Sequence, residues 1–182
     1  GMVALKTAIN HPKRISRVVA VGAPIVGDSL SWLLKLTDRP VLADAFVRIP
    51  WFRRYMFRLF LGETNDPAVN EILDDSVKSS STTLRRSVGS MWRTDLRPEL
   101  SRLSVPALIV HGGRDEIVHP NQADLFDHIP SAEVVVMPES RHFPFLDEAE
   151  LFNETLIRFL RQDAPRALPR RMRTRLNATI SG

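Results

Sequence analysis

Two residues of this 182-residue chain have the types and spacing for proton-transfer chemistry: Asp115, in HGGRDEIV, and His142, in ESRHFPFLD. A histidine beside a carboxylate is the orienting half of a nucleophile–base–acid triad. The imidazole takes a proton from a nucleophile, and the carboxylate fixes its tautomer and stabilises the imidazolium. The two residues lie 27 positions apart, one strand–helix–strand step. Neighbouring parallel strands would bring both loops to one rim, at the carboxyl ends where open α/β sheets collect function. Spacing alone leaves another reading open, with Asp115 a turn residue and His142 a surface or packed histidine.

The elements that must position this pair read as follows. Residues 2–10 place Val3, Ala4, Ala8 and Ile9 on one helical face, and His11-Pro12 ends the helix. ISRVVAVGAP (15–24) is a Val-rich run closed by Gly and Pro, as expected of a strand buried on both faces of a parallel sheet. From Ile25 to about Leu100 no comparable β run occurs. Pro40, Pro50, Pro67 and Pro98 punctuate helical segments there, and Asp66-Pro67 has the form of a helix start. VPALIV (105–110) and EVVVM (133–137) are two further strands, separated by a helix expected from about Pro120 to His128. The Gly112-Gly113 pair permits a sharp turn before Asp115. A last helix is expected over 147–160, opened by a capping box of Asp147 and Glu150 and striped by Leu151, Leu156, Phe159 and Leu160. Strand–helix alternation predicts an α/β fold, a parallel sheet flanked by helices.

Other polar and aromatic clusters carry less. His111, Asp115 and His119 have metal-ligand spacing only on a helix, and Gly112-Gly113 argues against one, so no metal is expected. Ser90 follows Gly89 in a helical segment without a second Gly, and Ser140 reads as loop polarity. The run IPWFRRYMFRLFLG interleaves Trp51, Phe52, Tyr55, Met56, Phe57 and Phe60 with Arg48, Arg53, Arg54 and Arg58. It fits a lid helix facing an apolar group, an ordinary amphipathic helix with Arg stems over its rim, or a membrane-surface contact. Met91, Trp92 and Phe143 join Trp51, Phe52 and Tyr55 as candidate substrate-lining residues, with plain packing as the alternative for Phe143 and Phe145. His11 and His128 sit at helix ends, where the C-terminal dipole accounts for them.

Composition sets the outer bounds. The chain is 43% hydrophobic and 25% charged, which is ordinary for a globular protein. It has 0 Cys, which excludes thiol nucleophiles, thiolate metal sites and disulfides. No apolar run approaches the roughly 18 residues of a membrane span. The net charge of +4 is unevenly placed: residues 1–160 hold 19 Lys and Arg against 20 Asp and Glu, and residues 161–182 hold six Arg against one Asp. That tail, with two Pro and little apolar periodicity, is expected to be disordered, either a solvated extension or a weak patch for anionic membrane or nucleic acid. No nucleic-acid-binding motif accompanies the charge, so no nucleic-acid partner is expected of the body.

VPALIVHGGRDEIV followed by IPSAEVVVMPESRHFPFLDEAELFNETLIRFL resembles the C-terminal part of the α/β-hydrolase fold, with acid and His in that order. GMVALKTAINHPKRISRVVAVGAP resembles the helix and strand that follow that family's nucleophile elbow. The resemblance divides the chain into a post-elbow helix and strand (1–24), a helical cap (25–100), a C-terminal core (101–160) and a basic tail (161–182). It implies Asp115 and His142 as acid and base, no cofactor, and a small apolar ester-like substrate. One departure is Arg141, where Gly often precedes the His; a larger one is the missing G-x-S-x-G. In register, Gly1 falls about three residues after the nucleophile. The expectation is therefore a C-terminal portion of a serine hydrolase, inactive alone, with dehalogenase, epoxide-hydrolase or C–C hydrolase chemistry open where the nucleophile differs. A non-catalytic small-ligand-binding protein on a shortened hydrolase fold is the alternative. Self-association through an open sheet edge is also expected, and the bland composition points to the cytoplasm.

Overall fold

The computed structural model describes residues 1–61, 67, 71, 75, 78 and 80–162. Asp66 of the expected Asp66-Pro67 helix start, the side chain of Phe60 and the tail from residue 163 lie outside them.

A three-stranded parallel sheet, in the order β1-β2-β3, is formed by β1 (Val18–Val21), β2 (Ala107–Gly112) and β3 (Ala132–Met137). Val18 pairs with Ala107 and Val21 with Val110, while Ala107 pairs with Ala132 and Gly112 with Met137. The middle strand is buried along its whole length, as its unbroken apolar run requires. β1 is shorter than its apolar run and alternates buried with half-buried positions, and β3 is mostly half-buried with Val136 exposed. These two strands are edges among the described residues.

Side chains alternate across each strand, so the sheet separates two cores. On one face Ala20, Ala107 and Ile109 pack with Leu5, Ala8 and Ile9 of α1 (Met2–Asn10), with Phe126, and with Leu96, Leu100 and Leu103. On the other, Leu108, Val110 and Met137 pack with Phe152 and Phe159 of α8 (Ala149–Arg161). Complete burial of aliphatic side chains such as Leu108 and Ile109 contributes roughly 1.5–3 kcal/mol each. α1 is turned relative to expectation: Val3 is 78% exposed and Ala4 faces solvent, and Leu5 takes the buried place. Stripes through residue 3 and through residue 5 share Ala8, and the larger Leu side chain gains more by burial.

Between β1 and β2 run α2 (Trp32–Leu36), α3 (Pro40–Arg48), α4 (Pro50–Leu61), α5 (Ser81–Trp92) and α6 (Arg97–Leu100). Pro40 and Pro50 begin helices, as suits a residue with no N–H to offer. Ser80 caps α5 by accepting from Thr83 N at 3.1 Å. Where the chain leaves and re-enters the sheet region, Val26 bridges Asp95 and Leu96 N donates to Ile25 O at 2.9 Å. These helices share a cluster of Leu30, Phe46 and Met56 with Ile117 and Val118, so they sit over the loop after β2.

Two C-terminal elements differ from the sequence reading. Residues Pro120–Phe126 form a 3-10 helix rather than an α-helix. Its ends are tied by i→i+3 bonds such as Gln122 N to His119 O at 3.2 Å. The last helix is split into α7 (Pro144–Asp147) and α8, with Glu148 rather than Asp147 at the α8 N-cap and no side-chain cap bond there. The stripe is Phe152, Thr155 and Phe159; Leu160 is 51% exposed.

Candidate active site

β2 and β3 are adjacent and parallel, so the loops that follow them meet at one rim. Gly113 N donates to Met137 O at 2.7 Å and Arg114 N to Ser140 O at 2.9 Å, which binds the two loops to one another. The Gly112-Gly113 pair opens the turn closed by Asp115 N on Gly112 O at 3.3 Å, and it is required by this crossing as well. A Cβ on Gly112 would stand 1.9 Å from Arg141 O, and one on Gly113 2.9 Å from Pro138 O. Neither glycine has positive φ; both serve close backbone approach.

Asp115 and His142 come together there. Asp115 Oδ2 lies 2.8 Å from His142 Nδ1, with the carboxylate side chain fully buried and the imidazole 20% exposed. The other carboxylate oxygen, Oδ1, accepts from Ile117 N at 2.8 Å and Val118 N at 3.0 Å. Both oxygens are thus occupied and the carboxylate cannot rotate without losing a bond. With Nδ1 turned to the acid, Nε2 is left to exchange a proton with a reacting group.

Gly22, just past β1, completes the imidazole's seat. It is the positive-φ glycine of the described residues, at 55°, and a Cβ there would stand 2.8 Å from His142 Cε1 and 2.9 Å from Nδ1. Sequence reasoning took Gly22 only as a strand terminator. Phe143 packs edge-on against the His142 ring, with centroids 4.9 Å apart, and passes the contact to Phe145 and Phe152.

The loop carrying His142 is pinned from behind. Arg141 N donates to Asp147 Oδ2 at 2.7 Å, Glu139 N to Glu148 Oε2 at 3.2 Å, and the buried Ser140 hydroxyl donates to the same Glu148 oxygen. Asp147 therefore binds the histidine loop instead of capping the final helix. Arg141, the departure from the family pattern, extends its guanidinium to Asp147 at 3.5 Å.

His111, near the end of β2, is a residue whose role the sequence did not reveal. It is fully buried with neither ring nitrogen hydrogen-bonded. Burial pushes its pKa down from 6.5 to about 4, opposed by the Asp115 charge and reinforced by His142. It is a neutral imidazole near neutral pH. His119 Nδ1 accepts from Asn121 N at 3.2 Å, and among the described residues no group of three or more side chains could hold a metal ion.

The aromatic candidates separate. Phe52 and Met91 pack against the helical cluster that includes Ile117 and Val118. Trp51 and Tyr55 are 70% and 55% exposed, with Trp51 edge-on to Phe52 at 5.9 Å. Trp92 donates Nε1 to Asp38 at 3.2 Å. Ser90 is exposed on α5. No helix among the described residues is long and apolar enough to cross a membrane.

A family model for the alpha/beta hydrolase fold matches residues 1–149. The pimeloyl-[acyl-carrier protein] methyl ester esterase of Vibrio cholerae serotype O1 is 30% identical over 172 residues, covering 87% of this chain and 66% of that protein. The protein of the same name from Neisseria meningitidis serogroup C is 34% identical over 166 residues, covering 84% of this chain and 62% of that one. An esterase from Exiguobacterium antarcticum is similar in structure at a TM-score of 0.68 and 27% identity, over 88% of this chain and 63% of its own. The chain spans about two-thirds or less of the length of these relatives.

Proposed function

Given that the chain belongs to the alpha/beta hydrolase fold family, we propose that it is the C-terminal portion of a carboxylic ester hydrolase using a Ser-His-Asp triad. Asp115 is the acid, His142 the base, and the serine precedes Gly1. The 2.8 Å bond between the buried Asp115 carboxylate and His142 Nδ1 is the observation that carries this reading. Esterase relatives agree with it at the level of reaction class.

The chemistry follows from the pair. His142 Nε2 removes the proton of the serine hydroxyl as it attacks the ester carbonyl, then returns it to the departing alcohol. Water, deprotonated by the same nitrogen, releases the acid. Asp115, held by two backbone N–H groups, keeps the imidazole in the tautomer that leaves Nε2 free.

The substrate is a small ester with an apolar acyl part; the relatives are named for a methyl ester of pimeloyl-[acyl-carrier protein]. The helices between residues 25 and 100 form the cap over it, with Phe52 and Met91 at its inner side and Trp51, Tyr55, Trp92 and Phe143 as further lining candidates. The test is hydrolysis of medium-chain methyl esters by the whole protein, by its His142→Ala variant and by residues 1–182 alone. Loss of turnover in the variant and in the 182-residue chain is expected. Efficient hydrolysis by the 182-residue chain, or by the variant, would refute the reading.

A further inference from the structure

At the junction of α7 and α8, two adjacent carboxylates point away from the helix they introduce. An N-cap side chain ordinarily accepts from the first free N–H groups of its helix. Glu148 occupies that position in α8 and makes no such bond. Its carboxylate turns back to Glu139 N and the Ser140 hydroxyl, and Asp147 turns back to Arg141 N. The three residues so engaged are those that immediately precede His142. Ser140 is fully buried, so its hydroxyl would be left without a partner if Glu148 were lost. Arg141 O faces Gly112 across a gap that admits no side chain, so the loop is confined from the front as well.

We propose that Asp147 and Glu148 are positioning residues for His142: a two-carboxylate clamp on residues 139–141 that fixes the loop so that Nδ1 meets Asp115. The proposal rests on the assignment of His142 as the base, but the clamp itself is a geometric claim about the ring. The local sequence favours the same conclusion. The α8 N-terminus forgoes a side-chain cap, and sequences that break a local rule of this kind do so where a functional arrangement gains from it. Arg141 adds a second contact to Asp147, at 3.5 Å, in place of the conformational freedom a glycine would bring.

The experiment follows the His142 Nδ1–H resonance of the 182-residue chain by NMR, whose persistence against solvent exchange reports the bond to Asp115. Asp147→Ala and Glu148→Ala are expected to broaden it or abolish it. Asp147→Asn and Glu148→Gln, which each keep an acceptor oxygen, are expected to restore it. Glu150→Ala, in the first turn of α8, is the control and leaves it unchanged. In the whole protein the two Ala variants are expected to lower kcat by about tenfold to a hundredfold with KM held, as for a displaced catalytic group. An unchanged resonance in both Ala variants would overturn the clamp. So would its loss together with the dispersed methyl signals of Leu108 and Val110, since the carboxylates would then be holding the fold and not the histidine. The two readings fail separately. Activity that survives His142→Ala while the resonance responds as expected refutes the base assignment alone, and the converse refutes only the clamp.

Discussion

Replacing Gly22 by alanine is expected to disturb the imbedded imidazole more than any distant surface change, and the size of the effect can be worked out. The residue sits at φ 55°, where an L side chain costs roughly 1–2 kcal/mol. The new Cβ would stand 2.8 Å from His142 Cε1, whereas ordinary contact begins at 3.4 Å, so ring or strand must retreat by about 0.6 Å. Nδ1 is already 2.8 Å from Asp115 Oδ2, and the same retreat along that line would carry it to about 3.4 Å, outside a good hydrogen bond. Weakening a bond to a charged group costs about 1.5–3 kcal/mol. A total loss of about 2.5–5 kcal/mol in urea unfolding is expected, with the Nδ1–H signal shifted or broadened. In the whole protein kcat falls by about a hundredfold. A loss of stability below about 0.5 kcal/mol with an undisturbed imidazole signal would refute the reasoning, because neither the backbone conformation nor the contact would then matter.

Three more outcomes are expected. Asp115→Ala leaves the Ile117 and Val118 N–H groups without their buried acceptor, so a destabilisation of about 2–3 kcal/mol in urea unfolding accompanies any loss of activity; equal stability in variant and parent would contradict this. His111 weakens the fold in acid: the unfolded chain takes up its proton near 6.5 and the folded one only near 4, so its contribution is complete above 6.5 and lost as pH falls towards 4, ~3 kcal/mol in all. His111→Phe removes that part of the slope, and urea midpoints that fall with pH as steeply as the parent's would refute it. The 182-residue chain is expected to self-associate through the side of Val18–Val21 that is unpaired among the described residues, and sedimentation that stays monomeric at all concentrations speaks against it.

The Asp115–His142 pair was legible because its signal is one-dimensional. A titratable residue just past an apolar run, repeated one strand–helix–strand step later, places both groups before any packing is known. The parallel sheet and the helical stretch after Ile25 were legible for the same reason, since buried strands are written as continuous apolar runs. What stayed hidden depends on contacts across the sheet. Gly22 reads like any strand-ending glycine until the His142 ring is seen against it. Gly112 and Gly113 read as a turn, yet their missing side chains make room for the backbone of the other loop. Asp147 and Glu150 match a capping pattern, but a carboxylate has more to gain from the free N–H of Arg141 than local spacing can reveal. His111 was weighed only for metal-ligand spacing and fell just past the expected strand at 105–110, whereas the strand runs on through it to Gly112, so its burial was invisible from sequence.

Asp115 also has a neighbour on the cap side. Its Oδ1 is bonded to the N–H groups of Ile117 and Val118, and the side chains of those two residues belong to the cluster with Leu30, Phe46 and Met56. On the proposed reading, substrate choice and acid geometry share the same few atoms of wall. Trimming Met56 or Phe46, as one would to enlarge the proposed cap, removes packing from Ile117 and Val118, whose backbone aims the carboxylate. Variants selected for new substrates at those positions would be expected to carry a lowered kcat as a by-product, and second-site changes that restore the rate would gather around residues 116–118.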